Sequence, residues 1–178
     1  SGSLNLFSTE QLQALTSSQI ASLTSAQLAG LSSTKLRSLT SSQIEGLSTA
    51  QASNLSSVTL SNLTSSQIKA LETADVAVLK TTSLAALNSS QIRALSNEQL
   101  VSLTTTQLAG LTTRALSSLS TAQLAILSST QMANLTSRAI TAFSTLQIAS
   151  LTTMQVSSLS STSVQALSAA QLAAMETA

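Results

Sequence analysis

Much of the function space is closed by residues the chain does not contain. There is no cysteine, so no disulfide, thiolate metal ligand or thiol nucleophile is available. There is no histidine, which removes the commonest general base and metal ligand. Proline is absent, so nothing punctuates a domain boundary. Tryptophan and tyrosine are missing and phenylalanine occurs twice, so leucine, isoleucine and alanine must serve as the packing units. Charged residues make up 7% of the chain, against roughly 25% in typical soluble domains. The net charge of +1 is too small to steer nucleic acid or an acidic partner, and so weakly charged a surface favours association. Mean hydropathy is positive, yet no apolar run approaches the ~18 residues of a spanning helix, because Ser, Thr and Gln interrupt every stretch.

What is present is one short phrase, repeated. Residues 15–22 read LTSSQIAS, and LTSAQLAG, LSSTKLRS and LTSSQIEG follow without a gap. The unit is eight residues: Leu, Ser/Thr, two variable, Gln, Ile/Leu, variable, small. From residue 7 to residue 174 it recurs 21 times with no insertion or deletion. The chain is therefore a repeat array. Residues 1–6 divide into a cloning scar, Ser1-Gly2-Ser3, and a partial repeat; 7–174 form a single array; 175–178 begin a further, truncated octad.

A continuous helix does not suit this period. Eight residues at ~100° each leave about 80° of net rotation per octad, so the leucines would spiral around the rod. A β-solenoid, the alternative fold, puts the first and sixth positions on opposite faces of a strand and has few turn residues for its corners. One short helix per octad fits better. Thr16 followed by Gln19 is the S/T-x-x-Q capping box, and Leu15 with Ile20 form the hydrophobic staple around it. The second position is Ser or Thr in 18 of 21 octads, the fifth is Gln in 14, and the first is Leu in 19. A helix this short cannot persist alone. The expected fold is thus an all-α solenoid whose helices bury their Leu and Ile/Leu faces on one another. The small eighth position (Ala14, Ser22, Gly30) is expected to let the chain turn closely onto the next helix.

Departures from the phrase set the superhelical period. The fifth position carries Lys35, Thr59, Ser83, Ala115, Ala139 and Ser163 instead of Gln, in octads 4, 7, 10, 14, 17 and 20 counted from residue 7, with Asp75 additional. Residues that share a face recur once per turn, which gives three to three and a third octads per turn and a triangular cross-section. A ten-octad duplication is a rival cause of the same rhythm, since Gly30 matches Gly110 and Asn54 matches Asn134. Glu72, Lys80 and Asn88 replace Ser/Thr in three consecutive octads. Glu72 and Asp75 suit a helix N-terminus and Lys80 does not cap. Together with Arg114 and Arg138, three octads apart, these residues define a candidate deviating face: Lys35, Thr59, Asp75, Lys80, Ser83, Arg114, Ala115, Arg138, Ala139 and Ser163. The plain alternative is drift in a redundant array.

The inventory is poor in chemistry. Six carboxylates remain, and only Glu72 and Asp75 are close in sequence. No Ser stands in G-x-S-x-G or S-x-x-K, no phosphate loop is present, and the scattered Arg and Lys have no aromatics beside them for stacking on bases. The expectations are no enzyme, no cofactor, no metal site, no nucleic-acid partner and no membrane insertion. The N-x-S/T strings at Asn54, Asn62, Asn88 and Asn134 are mostly by-products of the repeat. The Ser/Thr ladder is the best candidate for a binding surface, toward sugar, ice or a second copy.

The string LTSSQI-x-x-LTSAQL resembles the tandem L-[ST]-x-x-Q-[ILV]-x-[AG] tracts of very large proteobacterial secreted or cell-surface proteins of the adhesin and haemagglutinin-like kind. That resemblance covers essentially the whole chain. It implies a rigid stalk or scaffold in a bacterial surface protein, with neighbouring domains of the same long chain as partners, and it carries no catalytic residue across. An array that starts and stops in register, with no polar capping repeat, is expected to be a piece of a longer one.

Overall fold

The computed structural model describes residues 3–175. A 3₁₀ helix at Ser3–Leu6 is followed, among these residues, by 21 α-helices of four to seven residues and no strand. Each octad yields one helix, so the helical solenoid is the fold and the strand alternative is not. Residues 1, 2 and 176–178 lie outside the described set.

Octad 5, residues 39–46, shows how the phrase folds. Thr40 is the N-cap, in extended conformation, and its Oγ1 accepts from the Gln43 backbone N–H at 3.2 Å. Gln43 Oε1 accepts in return from the Thr40 backbone N–H at 2.9 Å. The helix spans Ser41–Glu45 and ends where the Gly46 N–H donates to Ser42 and the Leu47 N–H to Ile44, each at 3.1 Å. The box closes in every one of the 14 octads that carry Gln at position five, from Gln11 to Gln171. Asn88 caps as well as any Ser, accepting from the Ser90 and Gln91 amides. Glu72 stands at the N-cap and Asp75 in the first turn, as expected, but the Glu72 side chain makes no capping hydrogen bond, and neither does that of Lys80.

The corners do not use left-handed residues. No described residue has positive φ, and the chain turns through extended backbone at the first and second positions. The eighth position is small for another reason. A Cβ on Gly46 would lie 2.5 Å from the Ser17 Cβ of the turn before, and one on Gly110 would lie 2.1 Å from Thr81 Cγ2. Close approach between turns, rather than backbone freedom, selects glycine at both positions.

Helices three octads apart stack: octad 1 on 4, 2 on 5, 5 on 8, 8 on 11 and 11 on 14. Three octads therefore make one turn, and the array winds seven times. The interior is a column of sixth-position residues such as Ile44, Ile68, Ile92 and Leu116, ringed by first-position leucines. Leu4 belongs to this core, and Asn5 donates to the Gly30 carbonyl while accepting from the Ser32 N–H, so the partial repeat before residue 7 is part of the first turn. With interaxial spacings of ~8–10 Å, seven stacked turns give a rod on the order of 60 Å long.

Candidate functional site

The fifth position does more than cap. From octad 5 onward each Gln Nε2 also donates across to the turn below. Gln43 donates to the Leu12 and Leu15 carbonyls at 2.8 and 2.7 Å, and Gln67 to Leu36 and Leu39 at 2.7 and 2.8 Å. Gln91, Gln99, Gln107, Gln131 and Gln155 repeat the pattern, always reaching the first-position carbonyl 28 residues back. Each such amide is buried with both ends satisfied, which is the condition for placing it there at no net cost. Sequence reasoning assigned Gln to the cap alone. The signal for the second role was visible: a capping box accepts Glu as readily as Gln, yet no Glu occupies any fifth position. A donor is needed at that end.

Seven of the ten deviating residues stand in this same row, so most of them are interior groups rather than a surface. Thr59, Asp75, Ser83, Ala115, Ala139 and Ser163 are buried. Nor do they form one face. Octads 4, 7 and 10 share one side of the prism, 14, 17 and 20 stack on octad 11 along the next side, and octad 9 lies on the third. The interval of four between octads 10 and 14 shifts the pattern from one side to its neighbour, as duplication of ten octads does. Lys35 Nζ donates to the Phe7 carbonyl and Ser83 Oγ to the Leu55 carbonyl at 2.8 Å, each replacing the amide with another donor. Thr59 and Ser163 turn to hydroxyls nearby, Ser56 and Ser160. Ala115 and Ala139 have nothing to donate. Lys80 is exposed. Arg114 and Arg138 are exposed on stacked helices, Thr113–Ser117 and Ser137–Thr141, so the two share a side.

Asp75 differs from all of these. It is 1% exposed and neither carboxylate oxygen has a hydrogen-bond partner. Burial, reinforced by the nearby Glu72 carboxylate, pushes its pKa up to about 6. Glu10 and Glu98 go the other way: the Ser8 hydroxyl (for Glu10) and the backbone N–H of Glu98 itself lead the contacts that hold each below the usual carboxylate range. Both lie in the first turns of their helices.

A groove of about 690 Å³ opens at octads 8, 11 and 14. Arg37 and Arg114 flank it, and Thr64, Ser65, Asn88, Ser89 and Thr112 line it with polar groups. It opens where Ala115 replaces Gln, and the Leu87 carbonyl that an amide at 115 would reach receives no hydrogen bond from the described residues. Arg37 is held by its Nε donating to the Asn62 carbonyl at 3.2 Å. The lining offers donors and hydroxyls and no carboxylate or imidazole. It suits holding a polar ligand; it has no general base. A second, shallower depression is apolar, floored by Val101 and Ile126 beside Thr73, Asn97 and Glu98. No group of three or more His, Cys, Asp or Glu gathers among the described residues, and no described helix is long and apolar enough to cross a membrane.

Comparison with known proteins places this geometry. The model of the ALTTAQ repeat family matches residues 20–57, 68–105 and 103–137, together more than half of the chain. The six letters of that name run from the eighth position of one octad to the fifth of the next, ending on the Gln that caps and cross-links. No curated protein matches the chain.

Proposed function

The chain belongs to the ALTTAQ repeat family, and from that premise we propose that it is a non-catalytic spacer, a rigid stalk that sets the distance between neighbouring domains of a longer bacterial secreted or cell-surface protein. It is a repeat-based structural scaffold; the stalk, its surface location and its partners are our reading. One observation supports it above the rest. The groups of the octad able to do chemistry are absorbed by folding: the second-position hydroxyl by the N-cap, the Gln carbonyl by the same cap and the Gln amide by the turn below. A sequence spent on rigidity and on adding identical turns fits a structure whose output is length.

A second reading is favoured by the groove at Ala115. A hydroxyl-lined groove between two guanidiniums suits a carbohydrate, and the regular third-position Ser/Thr suit ice or a second copy. A glycan array and an ice-recrystallisation assay on the whole chain separate the two. The spacer reading expects no specific binding in either. Saturable binding that Arg114→Ala removes, with the helical circular dichroism unchanged, overturns it in favour of a binding module.

A further inference from the structure

We infer that Asp75 is carried in the folded array as the neutral acid, its O–H donating to the Leu47 carbonyl, so that one joint between the second and third turns is a proton-dependent latch. The register carries this. Gln67 in octad 8 donates to the carbonyl 28 residues back, Leu39, and Ser83 in octad 10 donates to Leu55. Octad 9 lies between them, and its corresponding acceptor is Leu47. No described residue donates to the Leu47 carbonyl. Asp75 occupies the donor's place with a buried carboxyl that has no partner. As a carboxylate it can only accept, and it faces a row that elsewhere offers carbonyl oxygens. As the acid it supplies the one donor the joint lacks.

The surrounding charges do not oppose this. On its own octad, Glu72 is the nearest ionisable group and repels a second negative charge. The helix below, Thr49–Ala52, has no titratable residue. The helix above, Asn97–Ser102, has Glu98 alone, exposed to solvent. Glu45, Lys69 and Lys80 on the flanking corners are exposed too, and none pairs with Asp75. The folded pKa of about 6 against the ordinary 3.8 agrees. With the folded value raised, the latch is closed at low pH, and its contribution is lost as pH rises through that interval. The array is tightest in mildly acidic surroundings and loosens at this joint when they become neutral. This holds whether the solenoid is a spacer or a binder.

The chain contains a single aspartate, so aspartate-selective ¹³Cγ labelling gives one side-chain resonance. We expect it to titrate near 6 in the folded protein; a midpoint at or below the ordinary 3.8 overturns the proposal. Denaturant titrations across the same pH interval give the second readout. The wild-type folding constant should fall about a hundredfold relative to Asp75→Asn, whose amide donates at every pH. Parallel curves overturn the proposal. So does stabilisation of the wild type, and not of Asp75→Asn, by added sodium or calcium at pH well above the midpoint, which assigns a cation to the joint instead of a proton.

Discussion

Octads 8 and 9 are neighbours with the same backbone and different chemistry. Gln67 is 2% exposed and Asp75 is 1% exposed, and both sit at the fifth position of their octad, the third residue of a six-residue helix. Gln67 closes a capping box with Thr64 and donates to two carbonyls of the turn below. Asp75 makes neither contact, and Glu72 before it does not cap. The helix forms all the same, with Val76 as buried as Ile68. The apolar column therefore holds the turn in place, and the polar row decides how tightly each joint is fastened. Stacking supplies helix formation to an octad that has lost its own start signal.

That difference is open to test by substitution, read as stability from guanidinium unfolding. Ile68→Ala should be the most damaging change, costing ~2–5 kcal/mol by emptying the shared core. Asp75→Gln should give octad 9 the cross-turn donor it lacks, stabilising by up to about 3 kcal/mol above pH 6, with the gain fading to nothing well below the ordinary 3.8, where the wild-type acid is neutral in both folded and unfolded chains. Gln67→Ala should cost ~1–3 kcal/mol by leaving the buried Leu39 carbonyl without a donor, while the Leu36 carbonyl keeps the Leu39 N–H. Asp75→Ala, measured at the same neutral pH, should not be destabilising, because it removes an unpartnered charge. Thr64→Ala should cost ~1 kcal/mol through the lost cap, whereas Glu72→Ala should be nearly neutral. If the Glu72 and Thr64 variants lose equally, the two octads are fastened alike.

The legible part of this fold was local. Ser/Thr and Gln three apart, with Leu and Ile around them, announce a helix start within eight residues, and octad 5 uses each of them as that pattern requires. The interval of three between Lys35, Thr59 and Ser83 gave the turn, because a joint recurs only where the same side of the prism does. The placement of those residues was not legible. They were expected on a face, whereas Thr59 and Ser83 lie inside and Lys35 is half-buried, since a capping Gln was assumed to spend its whole side chain on its own helix. Gly46 and Gly110 were expected to bend the chain and instead make room for Ser17 and Thr81. The groove at Ala115 could not be read either, because it is defined by an amide that is missing opposite a carbonyl 28 residues away.

By itself, then, the sequence determined the repeat length, the helix in each octad and the need for those helices to stack, because capping, stapling and apolar spacing are all satisfied within a few residues. Only the tertiary structure decided which groups the fifth position faces. Its second set of partners belongs to the turn below, and whether Gln, Lys, Ser, Ala or Asp stands there determines whether that joint is cross-linked, left open or, at Asp75, made to depend on a proton.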